Sequence, residues 1–285
     1  MALTRRALLG GSAVAVAGLG VGGALVERDV LPGRPWLHER LGLNGPDGTI
    51  PDVAVGPTAT GTVQSTLVSP RPAYRVLYPP GSRIGDALPV VICLHGARSS
   101  AAGWSDLVGL PQFLAASGHA MALALVDGDS SYWQAHEGGD YGRMVLEELL
   151  PVLGRRGLEI DRPAWLGWSM GGYGVLRLSA ERHRTGDANG PVLAVSPALW
   201  PSYDDTAPGA FQDRAQYDAA TALLDDVPVT TTRVDCGTGD PFYRNVVDFT
   251  DGRDLTVSFE RGSHDAGYWT RVLPDQLDWL AARLG

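Results

Sequence analysis

Six short β-like runs, separated by stretches of helical length, constrain this 285-residue chain more than any other feature. They fall at residues 90–94, 121–126, 164–166, 192–195, 229–236 and 255–259. Largely apolar runs of strand length suit strands buried on both faces. Between them, Val145, Leu149 and Val152 stand beside Leu146, Leu150 and Leu153 as one apolar helical face. Leu273, Leu277, Leu280 and Leu284 form another, opened by Pro274 with Asp275 and Asp278 near its start. Strand and helix in alternation make a mostly parallel sheet with helices on both faces, an α/β fold. Two more β-like stretches, residues 62–68 and 73–78, precede the first run, and 44% hydrophobic content supplies the core.

In such a sheet the carboxyl ends of the strands face the ligand crevice. Directly after the run at 164–166 stands "GWSMGGYG", a G-x-S-x-G pattern with Ser169 between Gly167 and Gly171, followed by a helical pattern. Strand, sharp turn and helix are the context of a nucleophile elbow, and the flanking glycines leave room for the turn. A serine hydroxyl needs a base within hydrogen-bond reach and a third group to orient that base. Chains with this elbow carry the acid and then the histidine later in the sequence. Only His183 and His264 follow Ser169. His183 lies in the charged run "ERHRTGD", which reads as a solvated helix end; His264, in the loop "RGSHDAGYW", is the candidate base. "VDCGTGDPFY" supplies the acid: Asp240 projects from the turn beyond a strand, with Asp235, Asp248 and Glu260 as alternatives. Backbone N–H groups of Met170 and of Ala97, in the loop after "VVICLHG", are the candidate oxyanion donors. His95 in that loop reads as a brace rather than a catalytic group.

Composition excludes several rival chemistries. All 23 basic residues are arginine, so a Walker A lysine, a Schiff-base lysine and a Ser-Lys dyad are ruled out. A net charge of −9 with scattered arginines gives no field for nucleic acid. Six dispersed histidines and two cysteines, Cys93 and Cys236, lack any metal-ligand spacing and form no disulfide framework; no metal or cofactor is expected, and both thiols read as free and structural. "GLGVGG" at 18–23 imitates a dinucleotide fingerprint, but Pro32, Gly33 and Pro35 cut off the helix that should follow. The segment suits something else. Arg5 and Arg6 precede an uncharged run at 7–26, the pattern of a twin-arginine export signal, with membrane association through that run if it is not cleaved. The expected organisation is a leader at 1–30, a Pro/Gly-rich linker arm at 31–61 and a catalytic domain at 62–285.

Taken in order, "AYRVLYPPG", "PVVICLHGARSSAAGW", "EELLP", "GWSMGGYGVLRL", "CGTGDPFY" and "GSHDAGYW" resemble the esterase D branch of the α/β-hydrolases, which includes feruloyl and related carboxylesterases and the mycolyltransferases. The resemblance covers roughly residues 62–284. It implies the α/β-hydrolase fold, a Ser169, Asp240 and His264 triad, and donors at Ala97 and Met170. It further implies a substrate wall in which Tyr132, Trp133, Tyr268 and Trp269 are candidate contacts, with aromatic packing under a loop as the other reading. The activity implied is hydrolysis of a small-molecule or lipid ester by an exported enzyme. An envelope acyltransferase and a non-catalytic binding paralogue are the alternatives, the former weakened by the Gly-Thr-Gly-Asp acid turn and by the lack of a large lid insertion.

Overall fold

The computed structural model describes residues 33–284. The expected leader lies outside them. Among the described residues, no helix is long and apolar enough to cross a membrane.

Eight strands form the main sheet: β1 (Thr58–Thr62), β2 (Ala73–Leu77), β3 (Pro89–Leu94), β4 (Ala122–Val126), β7 (Glu159–Trp168), β8 (Val192–Val195), β9 (Thr232–Gly237) and β10 (Thr256–Glu260). A small hairpin, β5 (Ala135–His136) with β6 (Gly139–Asp140), stands apart. The sheet order is β1-β2-β4-β3-β7-β8-β9-β10, with β2 antiparallel to both its neighbours, β1 and β4, and every pairing from β4 to β10 parallel. Alternate residues of each central strand feed opposite cores. Val90, Ile92 and Leu94 enter one core, while Val91 and Cys93 enter the other. The first core is covered by a helix over residues 141–155, called α4, and by α5 (Met170–Thr185), α6 (Arg214–Leu223) and α7 (Tyr243–Thr250). The second is covered by α2 (Ala101–Leu107), α3 (Leu110–Ser117) and α8 (Ala266–Ala281). Both cysteines are buried and free, and burial raises the Cys93 thiol well above its ordinary value.

Some boundaries differ from the expectation. The stretch expected as a strand at 62–68 pairs instead at Thr58–Thr62, inside the expected linker, because the Tyr78 N–H already meets the Pro57 carbonyl at 2.9 Å and extends the edge backwards. β7 begins at Glu159, five residues ahead of its apolar run, since Glu159, Asp161 and Arg162 are charged and exposed and a lone Ile160 among them leaves no run of apolar residues. Residues 229–231 form a 3-10 turn, so β9 begins at Thr232. In α4 a π-helical segment, Met144–Leu149, precedes Pro151. Proline has no N–H for the i→i−4 ladder, and the wider turn, with Leu150 N–H on the Val145 carbonyl, accommodates it.

Candidate active site

Ser169 sits between β7 and α5 with φ 56° and ψ −119°, a conformation that non-glycine residues rarely hold. Three backbone bonds fix it: its N–H donates to the Val195 carbonyl at 2.9 Å, and its carbonyl accepts from Tyr173 and Ala198, each at 3.0 Å. The glycines around it answer a packing demand. A Cβ on Gly171 would run into the Leu94 carbonyl, and one on Gly167 into the Gly171 carbonyl. The side chain of Ser169 therefore stands at the carboxyl edge of the sheet, half-buried.

β9 ends in the turn that carries Asp240, and the loop after β10 carries His264. The His264 Nδ1 lies 2.8 Å from Asp240 Oδ2, and its Nε2 lies 2.9 Å from Ser169 Oγ. Asp240 is buried, and its second oxygen accepts the Phe242 N–H at 2.8 Å. A carboxylate that accepts at Nδ1 keeps the proton on that nitrogen and leaves Nε2 free to accept from the serine hydroxyl. Phe242 and Trp269 meet the imidazole edge-on from two sides, at 5.4 and 5.2 Å between ring centres, and hold its plane. The alternatives for the acid stand elsewhere. Asp235 is buried and tied to Arg233 Nε at 2.6 Å and Gln276 at 2.9 Å, and burial pushes its carboxyl up against the pull of Arg233. Asp248 is paired with Arg244 at 3.4 Å, and Glu260 is exposed at the end of β10. His183 is exposed at the far end of α5.

The loop after β3 reaches the serine from the other side. A Cβ on Gly96 would stand 3.4 Å from the Ser169 Cβ, so the Gly96–Ala97 peptide faces the nucleophile directly. His95 fixes this peptide: its Nδ1 donates to the Gly96 carbonyl at 2.7 Å, and its Nε2 accepts from Gly128 N–H at 2.8 Å. Because a peptide's carbonyl and N–H lie on opposite edges of one plane, holding the Gly96 oxygen also aims the Ala97 N–H. Burial lowers the His95 pKa and keeps the ring neutral, as this bonding requires. Asp127 accepts Ala101 N–H at 2.8 Å and Ser130 accepts Arg98 N–H at 3.3 Å, tying the same loop to the end of β4.

The four aromatic residues expected to line a substrate wall have different places. Trp133 is fully buried between Gly128, Gly174 and the His95 ring, so it packs the core and is withdrawn from substrate contact. Tyr268 is also buried, its ring against Gly262 and beneath the Arg271 guanidinium. Tyr132 is 7% exposed and its ring meets Trp200 at 5.1 Å, while Trp269 reaches the triad through His264 and donates weakly to Ser196 Oγ at 3.4 Å. The sequence singles out neither Trp200 nor Phe211, which line a neighbouring pocket, nor Phe242, whose ring meets Trp200 and His264; all three stand outside regular elements, where no periodicity marks them. Among the described residues, no three His, Cys, Asp or Glu side chains converge as metal ligands would.

The expected linker arm is likewise more than a spacer. It contains a helix, α1 (Arg34–Leu41), and then crosses the acid and base loops. Arg34 stacks over Tyr243 at 4.5 Å, His38 and Asn44 press on Gly239, and the Gly48 N–H donates to the Gly267 carbonyl at 2.8 Å. Arg271 of α8 donates to the Asn44, Pro46 and Arg261 carbonyls, joining arm to loop.

The sequence matches the Esterase family over residues 68–280. The chain belongs to that family. No curated protein sequence matches it. Similar solved structures include the S-formylglutathione hydrolase of Agrobacterium tumefaciens, 21% identical over 82% of this chain and 98% of that one, with a TM-score of 0.68. The fluorophosphonate-binding serine hydrolase F of Staphylococcus aureus is 19% identical over 80% and 99%, with a TM-score of 0.64. A ferulic acid esterase is 22% identical over 80% and 98%, also with a TM-score of 0.64. The esterase has the α/β-hydrolase fold and is a carboxylic ester hydrolase, in line with the expected resemblance to the esterase D branch.

Proposed function

We propose that this esterase hydrolyses small carboxylic esters through an acyl-enzyme on Ser169. The observation that carries the reading is the unbroken chain from Asp240 through His264 to Ser169, with both links under 3 Å. His264 Nε2 removes the hydroxyl proton as Ser169 Oγ attacks the ester carbonyl. Asp240 keeps the ring in the required tautomer and stabilises the imidazolium. Negative charge developing on the carbonyl oxygen is met by the N–H groups of Ala97 and Met170, the first aimed by His95. Collapse of the tetrahedral intermediate breaks the bond to the alcohol, which takes the proton from His264. Water then attacks the acyl-serine, His264 again accepting and returning the proton, and releases the acid.

The leader favours an exported enzyme, with Arg5, Arg6 and the uncharged run at 7–26 as the support for it. The same run would associate with the membrane if it is retained. Export is tested by fusing residues 1–30 to a reporter that matures only when folded before transport. Twin-arginine replacement by alanine should abolish its export. The chemistry is tested with Ser169→Ala on p-nitrophenyl acetate: hydrolysis falls to the background rate if Ser169 is the nucleophile, and persists if it is not.

A further inference from the structure

Helix α1 is mounted inside out. Its inward side carries the buried His38, pressed on Gly239, while Trp36 and Leu41 face outward at 66% and 61% exposure. They are the two most exposed large apolar side chains among the described residues. A surface helix ordinarily turns its apolar side to the core and its polar side to water. In α1, residues 36 and 40 stand one turn apart, as do 37 and 41, so Trp36, Arg40 and Leu41 share the outer side with the half-buried Leu37. Apolar residues exposed singly are ordinary; two on one short helix, one of them a tryptophan, make a patch.

The patch is fixed in place. Gly33 and Gly42, both in the left-handed region, bound the helix, and the Leu43 N–H closes on the His38 carbonyl at 2.8 Å. Arg34 stacks over Tyr243 at 4.5 Å, which seats the helix beside the acid turn, at the carboxyl edge of the sheet. The sequence ahead of α1 says what covers its outer side. Residues 7–26 are uncharged, and twenty such residues are the length that the core of a bilayer requires. Only seven residues, 27–33, separate that run from Arg34. Extended at about 3.5 Å each they reach about 25 Å, so a run held in a bilayer keeps α1 within that distance of its surface. Trp and Leu with an Arg among them suit a helix lying in the interface, where the indole sits at headgroup level. Glu39 and Arg40 offset each other and the whole chain carries −9, so the attraction is apolar rather than electrostatic.

We propose that α1 docks on a lipid surface through Trp36 and Leu41, tethered there by the run at 7–26. Docking in this way turns the carboxyl edge of the sheet, with Ser169 and His264, toward the bilayer. The opposite edge, where Ile84 stands 53% exposed in the loop before β3, points into water. The inference rests on retention of the uncharged run.

The test uses the full chain in phosphatidylcholine vesicles, with an environment-sensitive dye on one introduced thiol. Cys93 and Cys236 are buried and stay unlabelled. Arg40→Cys puts the dye between Trp36 and Leu41 and keeps both; Ile84→Cys puts it at the far edge. The dye at position 40 should shift to the blue and be quenched several-fold when the vesicles contain a nitroxide-bearing phosphatidylcholine, and the dye at position 84 should do neither. Adding Trp36→Gln and Leu41→Gln to Arg40→Cys should return the emission to that seen at position 84. The vesicle-bound fraction, the Tm and p-nitrophenyl acetate hydrolysis should stay as in the parent, because the two side chains contribute little to the folded core. Vesicle-bound protein whose dye at position 40 emits as at position 84 would overturn the docking alone. A blue shift that the nitroxide lipid does not quench would assign the patch to a second copy of the chain and overturn it as well. An intact mass that lacks the run at 7–26, or protein recovered wholly apart from the vesicles, would instead overturn the retention beneath it.

Discussion

The two aspartates near the end of β9 are only five residues apart and do opposite work, a difference that local pairing decides. Asp240 faces the His264 Nδ1, whereas Asp235 lies inward against Arg233 and Gln276. Asp240→Asn offers an amide in place of an acceptor, inverts the tautomer, and should lower kcat by roughly 10³–10⁴-fold with an unchanged Tm. Asp235→Asn breaks a buried ion pair and should cost about 3 kcal/mol in denaturant unfolding while the folded fraction keeps its kcat. If the two variants exchange these phenotypes, the assignment of the acid is reversed. Position in the turn beyond the strand pointed to Asp240 in the sequence, with Asp235, Asp248 and Glu260 as alternatives, but nothing in "TTRVDCG" disclosed that Arg233 and Gln276 would enclose Asp235. His95 gives a prediction with a sign. Its folded pKa is depressed by burial, so its contribution to stability is fully present above the ordinary histidine value of about 6.5 and is lost as pH falls through the folded value. Between those values stability should decline with a slope of up to about 1.4 kcal/mol per pH unit from this group, and His95→Gln should remove that component. An equal slope in both proteins would place the titration elsewhere.

Elements differ in how plainly the sequence announces them. Central strands buried on both faces have nothing but apolar residues to offer, so β3, β4 and β8 could be read within a residue of their true limits. β1 and the first half of β7 carry Thr, Gly, Glu, Asp and Arg, and their pairing follows from the neighbours they meet rather than from any period of their own. The arm before β1 is the extreme case. Its hold on the catalytic loops depends on Asn44, Gly48 and the Arg271 fork meeting particular carbonyls and glycines, and dense Pro and Gly composition hides such contacts. Since the arm rests on the loops of Asp240 and His264, deleting the residues before Gly48 should lower kcat about tenfold or more and change KM little, because positioning is lost before binding is. Arg271→Ala, which frees the arm without shortening it, should lower Tm by about 2–4 °C and move kcat in the same direction. A truncated protein with the parent's kcat would return the arm to the status of a spacer.

At the scale of the whole molecule, the sheet brings four separated segments to one edge: the loop after β3, the elbow after β7, the acid turn after β9 and the histidine loop after β10. Parallel strands make this possible, since all of them end on the same side, and it explains why candidates for nucleophile, acid and base could be sought at strand ends in the sequence. The aromatic cluster around Trp200 was not legible in the same way. Trp200 and Phe211 come from the long connection between β8 and α6, and their ring contacts exist only once the fold has closed. The central claim is that Ser169 carries a covalent acyl intermediate, and rapid mixing with p-nitrophenyl acetate tests it most directly when paired with intact-mass measurement of the quenched protein. The account predicts a burst approaching one p-nitrophenol per protein, an acetyl adduct on the peptide that contains Ser169, and neither in Ser169→Ala. Hydrolysis of equal rate in the parent and in Ser169→Ala, with no adduct in either, would contradict it.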